Sequence, residues 1–400
     1  MKRALLLVLL LTACRTFQPA KTPEGALVEL APSEFPSFAD DLDFAELDVA
    51  IGHSLAHYSR MLRTTPDASL RFGTERVPVS QIAASLDRFR AIVALHPSPE
   101  ELRATLQREF RVFQSTGLNR DRDVLFTGYY LPEVRGSLTE TPPYNVPIYG
   151  VPSDLVLVRS KDFGQLRGED LIGRLVGNTL KPYANRADIE SGALKGKNLE
   201  LVWLDSAVDA FFMEIQGSGV VRFADGTTRV LSYAGKNGHP YVAIGQELIK
   251  RGALKREEVS MQSIRAWLDA NPAERSNILN SNPSYVFFKL SDFAAGSLGA
   301  PVTAGRTIAT DTRVFPKGAL CFIETERLES AASTEWRKYS RFVLDQDTGG
   351  AIRTAGRVDV FWGSGEYAAA AAGNSKHNGK LYYLLLKTLE SGSNVGASQN

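Results

Sequence analysis

Cysteine is nearly absent from this chain: 400 residues carry only Cys14 and Cys321. Once Cys14 is committed elsewhere, no intramolecular disulfide can form. Excess charge is missing as well. Lys plus Arg number 46 against 45 for Asp plus Glu, a net of +1, which argues against a polyanionic partner such as DNA and fits a neutral or zwitterionic polymer better. Signatures of metal and nucleotide chemistry are also lacking. His53 and His57 are four apart, but His-Ser-Leu-Ala-His has no Glu beside its first His, so the metalloprotease pattern is absent. No glycine-rich phosphate loop follows a strand, and Gly217-Ser218-Gly219 lacks both the third glycine and the strand-to-helix setting of a dinucleotide site. No metal and no cofactor are expected.

What is present begins with an export signal. Lys2-Arg3 precedes the apolar run Ala4 to Leu11, too short to span a bilayer. Leu11-Thr12-Ala13-Cys14 looks like a bacterial lipobox, with residues 1–13 cut away and Cys14 carrying the lipid; the alternative is an ordinary signal peptide. More than one acyl chain, at about 0.8 kcal/mol per buried methylene, holds a protein on a membrane face stably. The expected location is the periplasmic face of the outer membrane, with Arg15 in place of the Asp that argues for inner-membrane retention. Cys321, in Ala-Leu-Cys-Phe-Ile, has the surroundings of a small core hydrophobe.

Hydrophobic residues make up 44% of the chain, with 4 Trp, 13 Tyr and 20 Phe, enough to supply cores for two domains. Residues 14–39, punctuated by Pro19, Pro23, Pro32 and Pro36, show no sustained periodicity and are expected to be a tether. Helices are predicted over Phe44 to Leu62, Ser80 to Leu95 and Leu102 to Phe113, the last opened by the capping box Ser98-Pro99-Glu100-Glu101. A strand signal at Val124 to Leu131 leads into a Pro- and Gly-rich stretch. Asp225-Gly226 predicts a hairpin within Val220 to Tyr233, and helices follow at Tyr241 to Arg251, Met261 to Ala270 and Pro272 to Leu279. From residue 284 short strands return, at Tyr285 to Leu290, Thr307 to Asp311, Leu320 to Thr325, Arg341 to Asp345, Arg357 to Phe361 and Leu381 to Leu386, suggesting a small barrel or sandwich.

The last of these strands concentrate acids among apolar residues, in Leu344-Asp345-Gln346-Asp347-Thr348-Gly349-Gly350 and Arg357-Val358-Asp359-Val360-Phe361-Trp362-Gly363. Burial raises a carboxyl pKa and keeps an acid ready to donate a proton; held by backbone N–H groups at strand ends, the same residues are merely structural. With metal, nucleotide and thiol chemistry disfavoured, the reactive groups are carboxylates. Carbohydrate cleavage is the leading class, with Tyr129, Tyr130, Phe211, Phe212 and Trp362 available to pack on sugar faces.

Three ordered motifs, Phe126-Thr127-Gly128-Tyr129-Tyr130-x-Pro132, Phe212-Met213-Glu214-Ile215-Gln216-Gly217-Ser218-Gly219 and Asn282-Pro283-Ser284-Tyr285-Val286-Phe287-Phe288, resemble the membrane-bound lytic murein transglycosylase A family. The C-terminal part resembles that family's three-aspartate domain, with Asp311, Asp347 and Asp359 in order. The resemblance covers roughly residues 120 to 390. It implies a mainly β protein with added helices: a double-psi β-barrel domain from residues 40–135 and 284–390, an inserted β-rich domain at 136–283, a groove between them, and a flexible tail at 391–400. It implies cleavage of the β-1,4 bond between N-acetylmuramic acid and N-acetylglucosamine of peptidoglycan, with 1,6-anhydro products and Asp359, protonated by burial, as the single acid and base. Asp347 is the alternative acid if the register slips and otherwise shapes the site, and Asp311 supports it. Substrate-binding roles are expected for Tyr129, Tyr130, Gln216, Gly217, Ser218, Gly219, Thr348, Gly349 and Trp362. The expected partners are glycan strands and, through the lipid, a membrane, with no nucleic acid; cell-wall synthesis or division proteins are left open. The competing expectations are a hydrolytic glycosidase on the same barrel and a non-catalytic peptidoglycan-binding lipoprotein.

Overall fold

Apolar and aromatic strands from two distant stretches of sequence pair to make the larger half of the molecule. The computed structural model describes residues 17–163 and 170–388; the export segment, Cys14 and the C-terminal tail lie outside the described residues. Strands Val124–Leu131, Thr307–Ala309, Leu320–Leu328, Trp336–Asp347, Arg357–Ser364 and His377–Leu386 close into a six-stranded barrel. Closure falls to Val124–Leu131, here called the threonine strand. It runs parallel to Arg357–Ser364, the aspartate strand, with Thr127 opposite Asp359, and antiparallel to His377–Leu386. A second parallel pair joins Thr307–Ala309 to Trp336–Asp347. This is the barrel of two chain segments expected from the family resemblance.

The barrel is filled by Val124, Phe126, Ile308, Ile323, Val343, Val358 and Leu381, all 1% exposed or less. Cys321 lies among them as a free thiol, and burial pushes its pKa well up, as a core hydrophobe requires. Helices Leu47–Thr64 and Val79–Val93 cover the outside, burying Ile51, Tyr58, Leu86 and Phe89 against the same core.

Between the first barrel strand and the other five the chain builds a second unit. Its six-stranded sheet runs in the order Val286–Ser291, Thr228–Lys236, Ser218–Arg222, Glu133–Ser137, Glu200–Leu204, Val146–Tyr149. Helix Ala207–Gln216 packs on it, capped by Ser206, whose hydroxyl accepts from the Asp209 N–H at 3.1 Å, and closed by Gly217 at φ 77°. The predicted hairpin is present, with Gly226 at φ 83°.

Three expectations are corrected. The domain boundary at residue 284 falls inside the insert, because Val286–Ser291 pairs with Thr228–Lys236; the barrel resumes only at Thr307. The helix Leu102 to Phe113 stops at Glu109, although its capping box forms as predicted. Phe110–Ser115 is a strand that extends the barrel sheet along His377–Leu386, and buried cross-strand packing of Phe110 and Val112 overrides helical continuation. The tether expected over 14–39 is ordered from well before its end. Leu27–Glu29 pairs with Phe110–Ser115, and Phe38 is buried and stacked on Phe342 at 5.8 Å. A three-residue strand bracketed by prolines carries no periodicity to detect.

This N-terminal segment is locked by a buried ion pair. Arg306, fully buried, donates to both carboxylate oxygens of Asp40 at 2.6 and 2.9 Å and to the backbone oxygens of Ala45 and Phe342. Burial opposes ionisation of Asp40, but the hydrogen bonds and charge of Arg306 outweigh it and hold the carboxyl below its usual range. A depressed carboxyl pKa contributes stability above the unfolded value, about pH 4, and loses it as pH falls further. Asp40→Ala therefore lowers unfolding stability at pH 7 by about 3–5 kcal/mol, since it strands a buried guanidinium, and the gap to the wild type narrows in acid. Urea denaturation at pH 7 and pH 3.5 measures both; a gap that is absent or independent of pH contradicts the assignment.

Candidate active site

Side chains on neighbouring strands alternate between the barrel interior and its outer face. Val124 and Phe126, with Val358 and Val360, point inward and are buried. Thr127 and Tyr129 of the threonine strand, with Arg357 and Asp359 of the aspartate strand, share the other face and stay partly exposed. The parallel register sets Asp359 directly across from Thr127. The Thr127 hydroxyl donates to Asp359 Oδ1. Arg357 Nε donates to the same oxygen at 3.0 Å and to Thr127 Oγ1 at 3.2 Å, and its Nη2 reaches Asp359 Oδ2 at 3.3 Å.

Asp359 was expected to be a buried, protonated acid. Its side chain is instead 15% exposed and ion-paired with Arg357. Burial pushes the carboxyl of Asp347 above its usual range. Backbone N–H groups of Thr348 and Ser297 donate to its Oδ1 at 2.8 and 3.0 Å, and the Tyr129 hydroxyl donates to Oδ2 at 2.9 Å. Tyr129 is bonded to Asp347 alone but feels both acids: burial, then the charges of Asp347 and Asp359, push its phenol well up, which keeps it a hydrogen-bond donor. Its ring rests on Phe361 at 5.0 Å.

The loop between the two acids is tightly held. Thr348 Oγ1 donates to the backbone oxygen of Thr310 at 2.9 Å. A Cβ on Gly349 would lie 3.1 Å from Ile352 Cδ1 and 3.8 Å from Asp359 Oδ2, so the glycine leaves open space over the carboxylate. Asp311, 3% exposed, takes both guanidinium nitrogens of Arg313 at 3.0 and 2.8 Å, and Arg313 also donates to the backbone oxygen of Arg353. Through Arg313 it is linked to the loop that joins the two acids.

Several expected sugar contacts are placed elsewhere. Trp362 is three residues from Asp359, hence on the opposite face, and packs in the core against Tyr339 and Tyr367 with ring centroids 6.1 and 6.0 Å apart. Tyr130 is likewise turned from Tyr129 and largely buried. It lines a cavity of about 300 Å³ at the domain boundary with Asp209, Arg265 and Glu366, which does not include Asp359. Phe211 and Phe212 are core residues of the insert. Gln216 does not face the acids: its Oε1 accepts from the Tyr130 N–H at 3.1 Å, tying the insert to the threonine strand. Gly217 is the helix cap, Ser218 pairs with Ser232 in the sheet, and a Cβ on Gly219 would come within 2.5 Å of Met213 Sδ.

Residues that sequence reasoning passed over include Thr127, Arg357, Ser297 and a fourth acid, Asp345. Asp345 is fully buried, bonded to Lys317 Nζ at 2.6 Å and to the hydroxyls of Thr310 and Tyr383 at 2.7 Å each. Lys317 also donates to the Asp347 backbone oxygen, so this network anchors the strand end that carries Asp347. In the insert, Glu214 is buried and forms a double hydrogen bond to Arg186 at 3.0 and 2.7 Å. Among the described residues no group of three or more His, Cys, Asp or Glu has a metal-binding arrangement.

Fold and site together define a two-domain enzyme with carboxylates on the outer face of a closed barrel beside an inserted β domain. Residues 125–289 match the MltA specific insert domain and residues 306–385 the 3D domain. The chain is 34% identical over 278 residues to the membrane-bound lytic murein transglycosylase A of Vibrio cholerae, covering 68% of each, and 34% identical over 287 residues to that of Escherichia coli K12, covering 71% of each. Among solved structures, a membrane-bound lytic murein transglycosylase from Agrobacterium tumefaciens superposes with a TM-score of 0.73 at 28% identity over 90% of this chain and 98% of that one. Escherichia coli MltA with bound chitohexaose gives 0.68 at 27% identity over 92% and 96%. The chain belongs to the membrane-bound lytic murein transglycosylase A family.

The placement of Trp362 is testable. A Cβ on Gly128 would meet the indole at 2.5 Å, so the ring is enclosed on that side. Trp362→Ala lowers unfolding stability by about 3–5 kcal/mol, the cost of a large core deletion. Unchanged denaturation with weakened glycan binding would instead place the ring in the groove.

Proposed function

We propose that this chain cleaves the β-1,4 bond between N-acetylmuramic acid and N-acetylglucosamine in peptidoglycan without water, with Asp359 as the single acid and base. The carrying observation is the position of Asp359: on the open face of the barrel, clasped by Thr127, with space above it at Gly349. The relatives named above act as lytic murein transglycosylases by name, and one binds chitohexaose.

In the first step Asp359, protonated once substrate is bound, gives its proton to the glycosidic oxygen as the C1–O bond breaks. The departing N-acetylglucosamine keeps that proton as a hydroxyl. The muramic acid's own 6-hydroxyl then bonds to C1, and the Asp359 carboxylate takes the hydroxyl proton, returning to its starting state with a 1,6-anhydro ring as product. An internal nucleophile is already close to its target, which favours the step entropically and removes the need for a second carboxylate to activate water. The Thr127 bond keeps the carboxyl's orientation through both transfers. Tyr129, hydrogen-bonded to Asp347, stands beside it on the same face of the barrel.

Asp359→Asn retains the fold and lowers release of anhydro-ended fragments from purified sacculi by roughly 10²–10⁴-fold, the usual worth of a general acid–base group. Wild-type rates in a folded variant would remove Asp359 from the chemistry.

The relatives are named as membrane-bound, and no described helix is long and apolar enough to cross a membrane. A lipid on Cys14 is the attachment we infer, placing the site on the periplasmic face of the outer membrane. Cys14→Ser then moves the protein from the membrane to the soluble fraction; continued membrane recovery in high salt and carbonate contradicts a lipid anchor.

A further inference from the structure

The ion pair at the centre of the site poses a problem of its own. A guanidinium fork on both oxygens of a carboxylate occupies the lone pairs at which a proton must sit, yet a group that begins a reaction as an acid must carry one. Arg357 holds Asp359 in that way, with its Nε–Oδ1 bond at 3.0 Å and a longer Nη2–Oδ2 bond at 3.3 Å. Two other cations near the three aspartates have structural tasks. Lys317 is tied to Asp345, Thr310 and the Asp347 backbone, and Arg313 is paired with Asp311 while bracing the Arg353 backbone. Arg357 differs. It is one-third exposed where Asp359 is 15% exposed, so it is open to a molecule arriving from solvent. Tyr241 of the insert, half exposed, lies within the field of the Arg357 charge.

Resting on the transglycosylase reading above, we propose that Arg357 reads a carboxylate on the substrate and positions Asp359 in consequence. Before substrate arrives the guanidinium clasps Asp359. A carboxylate of the glycan, either the lactyl group of a muramic acid lacking its peptide or a free carboxylate of the stem peptide, takes over the fork. Asp359 then keeps only the Thr127 bond, takes a proton from solvent and passes it to the glycosidic oxygen. Charge balances because the incoming carboxylate replaces Asp359 on the cation while that proton neutralises Asp359. A planar fork with fixed donors suits this exchange better than the point charge of a lysine. Among the described residues the charged group bonded to Asp359 is Arg357, while Tyr129 on the neighbouring strand lies in the field of Asp359 and Asp347 and Tyr241 of the insert in that of Arg357.

The test compares three glycans on wild type, Arg357→Gln and Arg357→Lys: muroglycan stripped of peptide, muroglycan with intact stems, and chitohexaose, which has no carboxylate. KM on a carboxylate-bearing glycan rises about tenfold or more in Arg357→Gln, as expected for loss of a charge-assisted bond, and falls part of the way back in Arg357→Lys, while the chitohexaose Kd changes less than twofold. A rise confined to the stripped glycan identifies the lactyl carboxylate, and one confined to the stemmed glycan identifies the peptide. An unchanged KM, or equal weakening toward chitohexaose, overturns the proposal. Should Arg357→Gln not fold, salt titration of the wild type decides: affinity for the carboxylate-bearing glycans falls with ionic strength while that for chitohexaose holds, and parallel behaviour overturns it. Asp359→Asn assayed on the same glycans separates the two readings. Retained turnover there sinks the acid assignment, whereas an inactive Asp359→Asn beside an unaffected Arg357→Gln sinks only the role of Arg357.

Discussion

The parallel pairing of Val124–Leu131 with Arg357–Ser364 is the constraint from which the rest follows. One strand from the first segment of the chain fills the gap left by five strands that come much later, and its register against the aspartate strand is fixed with Thr127 opposite Asp359. A slip of the threonine strand by one residue would turn Phe126 out to solvent and carry Thr127 into the core, away from Asp359. The hydrophobic filling of the barrel thereby sets the polar geometry of its outer face. Because a parallel pair needs a long connection between its strands, there is room in sequence for a whole domain between them, and the chain places the insert there.

That arrangement holds the two domains together at the site. The threonine strand passes through Pro132 directly into the first strand of the insert sheet, Glu133–Ser137, and Gln216 at the end of the insert helix returns to bond the Tyr130 backbone. Buried charges fix the ends of each unit: Arg186 with Glu214 in the insert, Arg306 with Asp40 where the N-terminal segment meets the barrel, and Lys317 with Asp345 behind Asp347. Such pairs are costly to form and more costly to break, so they favour one arrangement over its alternatives. Asp359, by contrast, is paired with a partly exposed cation on the same strand, an interaction that substrate can replace.

Much of this was legible in the sequence, and the failures share a cause. The capping box at Ser98, the Asp225-Gly226 hairpin and the strands from residue 307 onward are local signals, and the structure follows them. The ordered motifs carried the family and, with it, the three aspartates. What local reading missed was decided by partners far away in the chain. Leu27–Glu29 is a strand only because Phe110–Ser115 lies beside it, and Val286–Ser291 belongs to the insert only because Thr228–Lys236 claims it. Trp362 and Tyr130 were taken for sugar contacts by their chemistry, although counting by twos from Asp359 and from Thr127 would have turned both to the other face. The same count selects Arg357, whose pairing with Asp359 no motif announces.

The central claim is that one carboxylate performs both proton transfers while the sugar supplies its own nucleophile. Digestion of purified sacculi in water enriched in oxygen-18, followed by mass spectrometry of the released fragments, tests it most directly. The account predicts products that carry no heavy oxygen at the cleaved muramic acid end and that are lighter by one water than the hydrolysed form. Oxygen-18 incorporated at that carbon in the initial products would show that water is the acceptor, and the single-carboxylate mechanism would have to be abandoned.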